Sequence, residues 1–179
     1  LKYAEINEQN FNGTNDAFVA IDPKTGGILT MVGSRDYFDK EIDGNFNVTT
    51  AKRQPGSTFK PFVYAQALIK GYTPETVLFF FLTQFSTKCP KENMTSENGC
   101  YSPSNYDDNF RGPMTLREAL AQSINVPAVK TLYLAGIPES INLAKSMGIN
   151  GLGDANLYGL TLVLGGGEVS LLEMTSAYG

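Results

Sequence analysis

Histidine and tryptophan are absent from this 179-residue sequence, and cysteine occurs only twice. Without histidine there is no Ser-His-Asp or Cys-His nucleophile, no imidazole general base and no histidine-ligated zinc, and two thiols cannot build a four-thiolate metal site. No metal or cofactor is expected, and any catalysis must draw its base from another side chain. Basic residues are few as well: 14 Lys and Arg stand against 18 Asp and Glu, for a formal charge of −4. With no Lys/Arg-rich run to neutralise phosphates, a nucleic-acid partner is not expected. Long hydrophobic runs are also missing; the longest, Val77 to Leu82, has six residues, against roughly 20 for a helix that crosses a bilayer. What remains, 42% hydrophobic and 11% aromatic, is enough apolar surface for the core of one globular domain.

Two short β-forming segments, Ala17 to Ile21 and Ile28 to Val32, flank the turn-rich Asp22-Pro-Lys-Thr-Gly-Gly27 and predict a hairpin. After Pro55-Gly56, the residues Phe59, Phe62, Val63, Tyr64, Ala67 and Leu68 recur at helical spacing until Lys70-Gly71, so Ser57 lies at a helix N-terminus. Thr115-Leu-Arg-Glu118 and Ser170 with Glu173 are capping boxes, each predicting the start of a helix. Asn125 and Pro127 open a further helix to Ala135, making Ser123 to Asn125 a tight junction between helices, and Pro138 to Met147 forms another. No repeat and no dividing linker is evident, and the sequence reads as a piece of a longer protein. Cys89 and Cys100 flank the polar excursion Ser86 to Asn105; a disulfide and two free thiols both fit this pattern.

Ser57 and Lys60 are the residues that could do covalent chemistry together. Three positions apart at a helix start, they share one face about one turn from each other. A serine hydroxyl needs a base, and an amine serves when desolvation lowers its pKa. Helix N-terminal N–H groups add positive potential where an oxyanion would form. The alternative is a Ser57 that merely caps the helix and a Lys60 that is a solvated charge. Ser-x-Asn occurs at Ser96, Ser123 and Ser140; only Ser123-Ile-Asn125 lies at a junction where a hydroxyl and an amide could point into a cleft.

The order Arg53-Gln-Pro-Gly-Ser57-Thr-Phe-Lys60-Pro-Phe, then Thr115-Leu-Arg-Glu-Ala-Leu-Ala-Gln-Ser123-Ile-Asn125-Val-Pro-Ala-Val, resembles the transpeptidase domain of class A, bifunctional penicillin-binding proteins. Ala20 to Gly33, Ser102-Pro-Ser-Asn-Tyr106 and Leu164 to Met174 are similar to that family too. The resemblance implies a mixed α/β fold of the penicillin-binding and serine β-lactamase type, with helices packed on a central antiparallel sheet, here incomplete. It implies that residues 1–179 are the N-terminal part of that domain, with no second domain. It further implies acyl transfer on peptidoglycan stem peptides, with Ser57 attacking the D-Ala-D-Ala carbonyl and an amine on a second stem accepting the acyl group. Lys60 would be the base, Ser123 a proton relay and Asn125 a substrate-binding residue; β-lactams would acylate the same serine. The parent chain would carry a membrane anchor and a glycosyltransferase domain and face outward from the cytoplasmic membrane, into the periplasm.

The family's third motif, Lys-Thr/Ser-Gly after Ser-x-Asn, is not found after Asn125. Lys24-Thr25-Gly26 precedes Ser57, in the hairpin turn, and is no substitute. Two further readings therefore stay open: a penicillin-recognising sensor or scaffold, and a serine β-lactamase. The latter needs a water-activating Glu, for which Glu75 and Glu168 come nearest without completing the pattern. Asp39 to Thr50 imitates a calcium loop but lacks its final Glu. Gly165-Gly166-Gly167 reads as a tight connection, and Phe79 to Phe81 as core.

Overall fold

The computed structural model describes residues 2–90, 92–105 and 111–179. In chain order the elements are α1 (Lys2–Phe11), β1 (Phe18–Ile21), β2 (Ile28–Val32), β3 (Lys52–Arg53), a 3-10 turn (Gly56–Phe59) and α2 (Lys60–Ile69). There follow β4 (Val77–Phe80), β5 (Gly112–Thr115), α3 (Leu116–Ala121), α4 (Asn125–Ala135) and α5 (Ile137–Ser146). Two 3-10 segments (Ala155–Leu157 and Leu160–Leu164), β6 (Val169–Ser170) and α6 (Leu171–Ala177) complete the order. The mixed fold expected from the sequence is present; among the described residues its strands form three two-stranded antiparallel ladders, β1 with β2, β3 with β6 and β4 with β5, instead of one sheet. Among the described residues no helix is long and apolar enough to cross a membrane.

The chain divides into two compact units. One comprises Leu1–Gln54, Ala144–Gly153 and Glu168–Gly179. Its hairpin forms as the turn signal predicts: Asp22 accepts from the Lys24 N–H at 2.9 Å and from the Thr25 hydroxyl at 2.8 Å, so Lys24-Thr25-Gly26 is consumed in closing that turn. Ile149, Leu152, Val169 and Met174 are buried here. At the start of α6, Ser170 and Glu173 form the predicted capping box.

The other unit, Pro55–Leu143 with Asp154–Gly167, is built around α4. Val126, Ala128, Val129 and Leu132 of that helix are fully buried, and α2 and the Leu160–Leu164 segment pack on it. Thr115 and Glu118 cap α3 reciprocally. The reading of Phe79 to Phe81 as core needs correction. On β4, successive side chains face opposite ways, so Phe80 is wholly buried while Phe79 and Phe81 are 59% and 54% exposed and stack on each other. Cys89 and Cys100 form a disulfide, with 5.6 Å between their Cα atoms, which decides the open alternative for that loop.

Candidate active site

The turn carrying Ser57 is tighter than an α-helix. Pro55 and Gly56 start a 3-10 turn in which the Lys60 N–H donates to the Ser57 carbonyl, and in that geometry side chains three apart eclipse one another. Ser57 and Lys60 therefore share a face at the point where the 3-10 turn becomes α2. Ser57 does not cap the helix: the cap positions are Pro55 for the turn and Phe59 for α2, and neither makes a side-chain cap bond. The Ser57 side chain is exposed, and its hydroxyl makes no hydrogen bond within the described residues. The capping explanation for Ser57 thus fails.

Lys60 is no solvated charge either, being only 1% exposed. Its Nζ donates to Ser123 O at 2.6 Å, Ser123 Oγ at 3.1 Å and Asn125 Oδ1 at 2.9 Å. An ammonium has three donors, and here each meets an acceptor. Among the described residues no carboxylate bonds this amine, and burial lowers the Lys60 pKa to about 8. At pH 7 about one Lys60 in ten is then neutral, against roughly a few in ten thousand for an ordinary lysine. A neutral amine on the Ser57 face can accept a hydroxyl proton, and its hydrogen bond to Ser123 Oγ gives that proton an onward route.

The acceptors are presented by the α3–α4 junction. Ser123 N–H donates to Leu120 O and Ile124 N–H to Ala119 O, both at 3.0 Å, the paired bonds of a Schellman ending. In that motif the residue after the cap turns left-handed and is usually glycine, yet here it is Ser123, with φ 54°. The cost of a side chain in that conformation is about 1 kcal/mol or more, and it sets the Ser123 hydroxyl beside Lys60. The other two Ser-x-Asn serines are structural: Ser140 is buried and donates to Gly136 O, and Ser96 bonds the backbone of Ser102.

Two residues of this neighbourhood have partners that the sequence motifs do not name. Gly165 has φ 92° and packs against the backbone of Gly56, immediately before Ser57, so the glycine run is indeed a close connection. Asn105, 6% exposed, accepts from the Val126 N–H at 3.2 Å. Asn105 lies in the family-like Ser102–Tyr106 segment, but the signal for its capping role is negative: α4 begins after Ile124, whose side chain cannot cap it. The last residue of the Ser102–Tyr106 segment, Tyr106, lies outside the described residues. Asp39, first residue of the calcium-loop imitation, holds its own turn by accepting from Glu41 N–H at 2.9 Å.

The chain is similar to known proteins in sequence and in fold. The chain is 41% identical over 163 residues to penicillin-binding protein 2D of Bacillus subtilis, covering 90% of the chain and 22% of that protein. It is 33% identical to penicillin-binding protein 1A of Neisseria lactamica, covering 99% of the chain and 20% of that relative. The crystal structure of penicillin-binding protein 1A from Haemophilus influenzae superposes with a TM-score of 0.75 at 31% identity, covering 92% of the chain and 23% of that structure. The chain thus spans about one fifth of the length of these relatives. The family described as penicillin binding protein transpeptidase domain matches residues 17–166, a stretch that contains Ser57, Lys60, Ser123 and Asn125, and the chain belongs to that family.

Proposed function

We propose that this chain is the nucleophile-bearing part of a peptidoglycan D,D-transpeptidase that works through an acyl-serine and is covalently trapped by β-lactams. The observation that carries the reading is the buried Lys60 amine, one turn from an exposed Ser57 and bonded to Ser123 Oγ and Asn125 Oδ1. In the first step the Ser57 Oγ–H gives its proton to neutral Lys60 while Oγ bonds to the carbonyl carbon of the penultimate D-Ala. The C–N bond to the terminal D-Ala then breaks, and the proton passes from Lys60 through Ser123 Oγ to the leaving nitrogen. An amine of a second stem peptide attacks the ester, forms the new amide and returns the proton to Ser57. Asn125 orients the substrate amide. These steps require neither metal nor cofactor.

The parent protein is proposed to carry a glycosyltransferase domain and a membrane anchor, with this region on the outer face of the cytoplasmic membrane, in the periplasm. A β-lactamase is disfavoured because neither candidate water-activating carboxylate, Glu75 or Glu168, completes the sequence pattern, and Glu75 accepts from Arg117 at 2.6 Å in an exposed ion pair. A penicillin-recognising sensor would share Ser57 and Lys60 and differs only in turnover. The intact protein, incubated with a stem-peptide donor ending in D-Ala-D-Ala and an amine acceptor, is expected to release D-Ala and form the cross-linked amide. Acylation by penicillin without amide formation would favour the sensor.

A further inference from the structure

Helix α4 supplies Asn125 to the Lys60 site but begins without a local cap. Ile124, its N-cap, has no side-chain acceptor, and no side-chain cap bond is made there. Pro127 removes one N–H from the first turn, and Val126 is wholly buried, so its N–H is shut off from water and needs a protein acceptor. That acceptor is Asn105 Oδ1, from 21 residues upstream. Asn105 is itself held at the end of a braced loop. The Gln84 side chain accepts from Tyr101 N–H at 2.7 Å and donates to Asn93 O at 2.5 Å, and Cys89–Cys100 closes the same loop.

We infer that Asn105 is a positioning residue: a remote helix cap that fixes the first turn of α4, and through it the Ser123–Asn125 junction whose oxygens hold the Lys60 amine. Its effect on reaction rate rests on the transpeptidase reading; its effect on the helix does not. The role belongs to the acceptor oxygen, so the isosteric Asn105→Asp preserves it, with a negative charge favoured at a helix N-terminus. Asn105→Leu keeps the branched shape and the number of side-chain heavy atoms and removes the acceptor.

The test compares the intact wild-type protein with Asn105→Leu and Asn105→Asp in two measurements, the rate of Ser57 acylation by benzylpenicillin and the hydrogen exchange of the Val126 amide. Asn105→Leu is expected to slow acylation about tenfold and to speed Val126 exchange by a similar factor, while Asn105→Asp stays within about twofold of wild type in both. Should Asn105→Leu not fold, Asn105→Ala provides the same contrast. Wild-type behaviour in Asn105→Leu, or equal losses in the Leu and Asp variants, overturns the proposal. If wild type itself takes no acyl group, the transpeptidase reading fails while exchange still reads the cap. Val126 protection lost with Leu and kept with Asp then supports the positioning role, and protection unchanged in both removes it.

Discussion

Gly165 meets Gly56 backbone to backbone, and a methyl group added at Gly165 would stand 2.5 Å from Gly56 Cα and 3.0 Å from its carbonyl oxygen. Neither neighbour is the tip of a flexible side chain, so relief has to come from moving the turn that carries Ser57. Gly165→Ala is therefore expected to cost about 2 to 4 kcal/mol, combining left-handed strain with overpacking. Gly56→Ala has the same kind of backbone, φ 60°, but no atom within 4 Å of the added carbon, and is expected to cost about 1 kcal/mol. Denaturant unfolding of both variants checks the order, and equal losses would mean that the contact does not matter.

Ser123 gives a prediction in which stability and activity move apart. In its left-handed position glycine is cheaper by about 1 kcal/mol, but Ser123→Gly also strips the buried Lys60 amine of its Oγ acceptor, a loss of at least about 1 kcal/mol. No net gain in stability is therefore expected, while acylation slows for want of the hydroxyl. Thermal unfolding and penicillin labelling on the same samples decide it. A variant clearly more stable than wild type, or one that labels as fast, contradicts this account of the α3–α4 junction.

Several elements of the fold are readable from sequence because their determinants are local. Thr115 with Glu118, Ser170 with Glu173 and the three-residue step from Ser57 to Lys60 all act within one turn. What sequence does not disclose is contact at long range. Asn105 reaches Val126 only because a polar loop is braced in three dimensions, and Gly165 finds Gly56 across most of the chain. β5 is illegible for a different reason: Gly112 and Pro113 read as breakers, yet they pair with Phe80 and Phe79 in a ladder that has two strands among the described residues, so no further strand there demands the missing proline donor. Helix α1 carries too few apolar residues to announce itself.

Burial of Lys60 makes both rate and stability depend on pH. Acylation needs the neutral amine, so its rate is expected to rise about tenfold per pH unit below 8 and to level off above it. In the folded protein Lys60 titrates at about 8, below its ordinary 10.5. The unfolded chain consequently binds more protons between those values, and unfolding free energy rises with pH across that window. Lys60→Met should abolish acylation and remove its share of that slope. Tyr64 acts in the opposite sense. Among the described residues its buried hydroxyl has no hydrogen-bond partner, Thr131 nearby donating to Pro127 O. Burial raises its pKa from 10 to about 12, so stability is expected to fall as pH climbs through that range. Urea titrations from pH 7 to 11.5 on wild type, Lys60→Met and Tyr64→Phe separate the two slopes.

The Cys89–Cys100 bridge closes a short loop, separation 11, and its reduction is expected to lower stability by about 3 kcal/mol through the entropy returned to the unfolded chain. Unfolding with and without a phosphine reductant measures this directly. No change on complete reduction would show that the Gln84 hydrogen bonds hold the loop without the bridge.

The central claim is that Ser57, activated by Lys60, is the nucleophile. Intact-mass spectrometry of the protein after incubation with benzylpenicillin, followed by peptide mapping, tests it most directly. The account predicts one lasting adduct of the whole penicillin mass, mapped to Ser57 and absent from Ser57→Ala and Lys60→Met. An adduct on another residue, or none on folded wild-type protein, would contradict it.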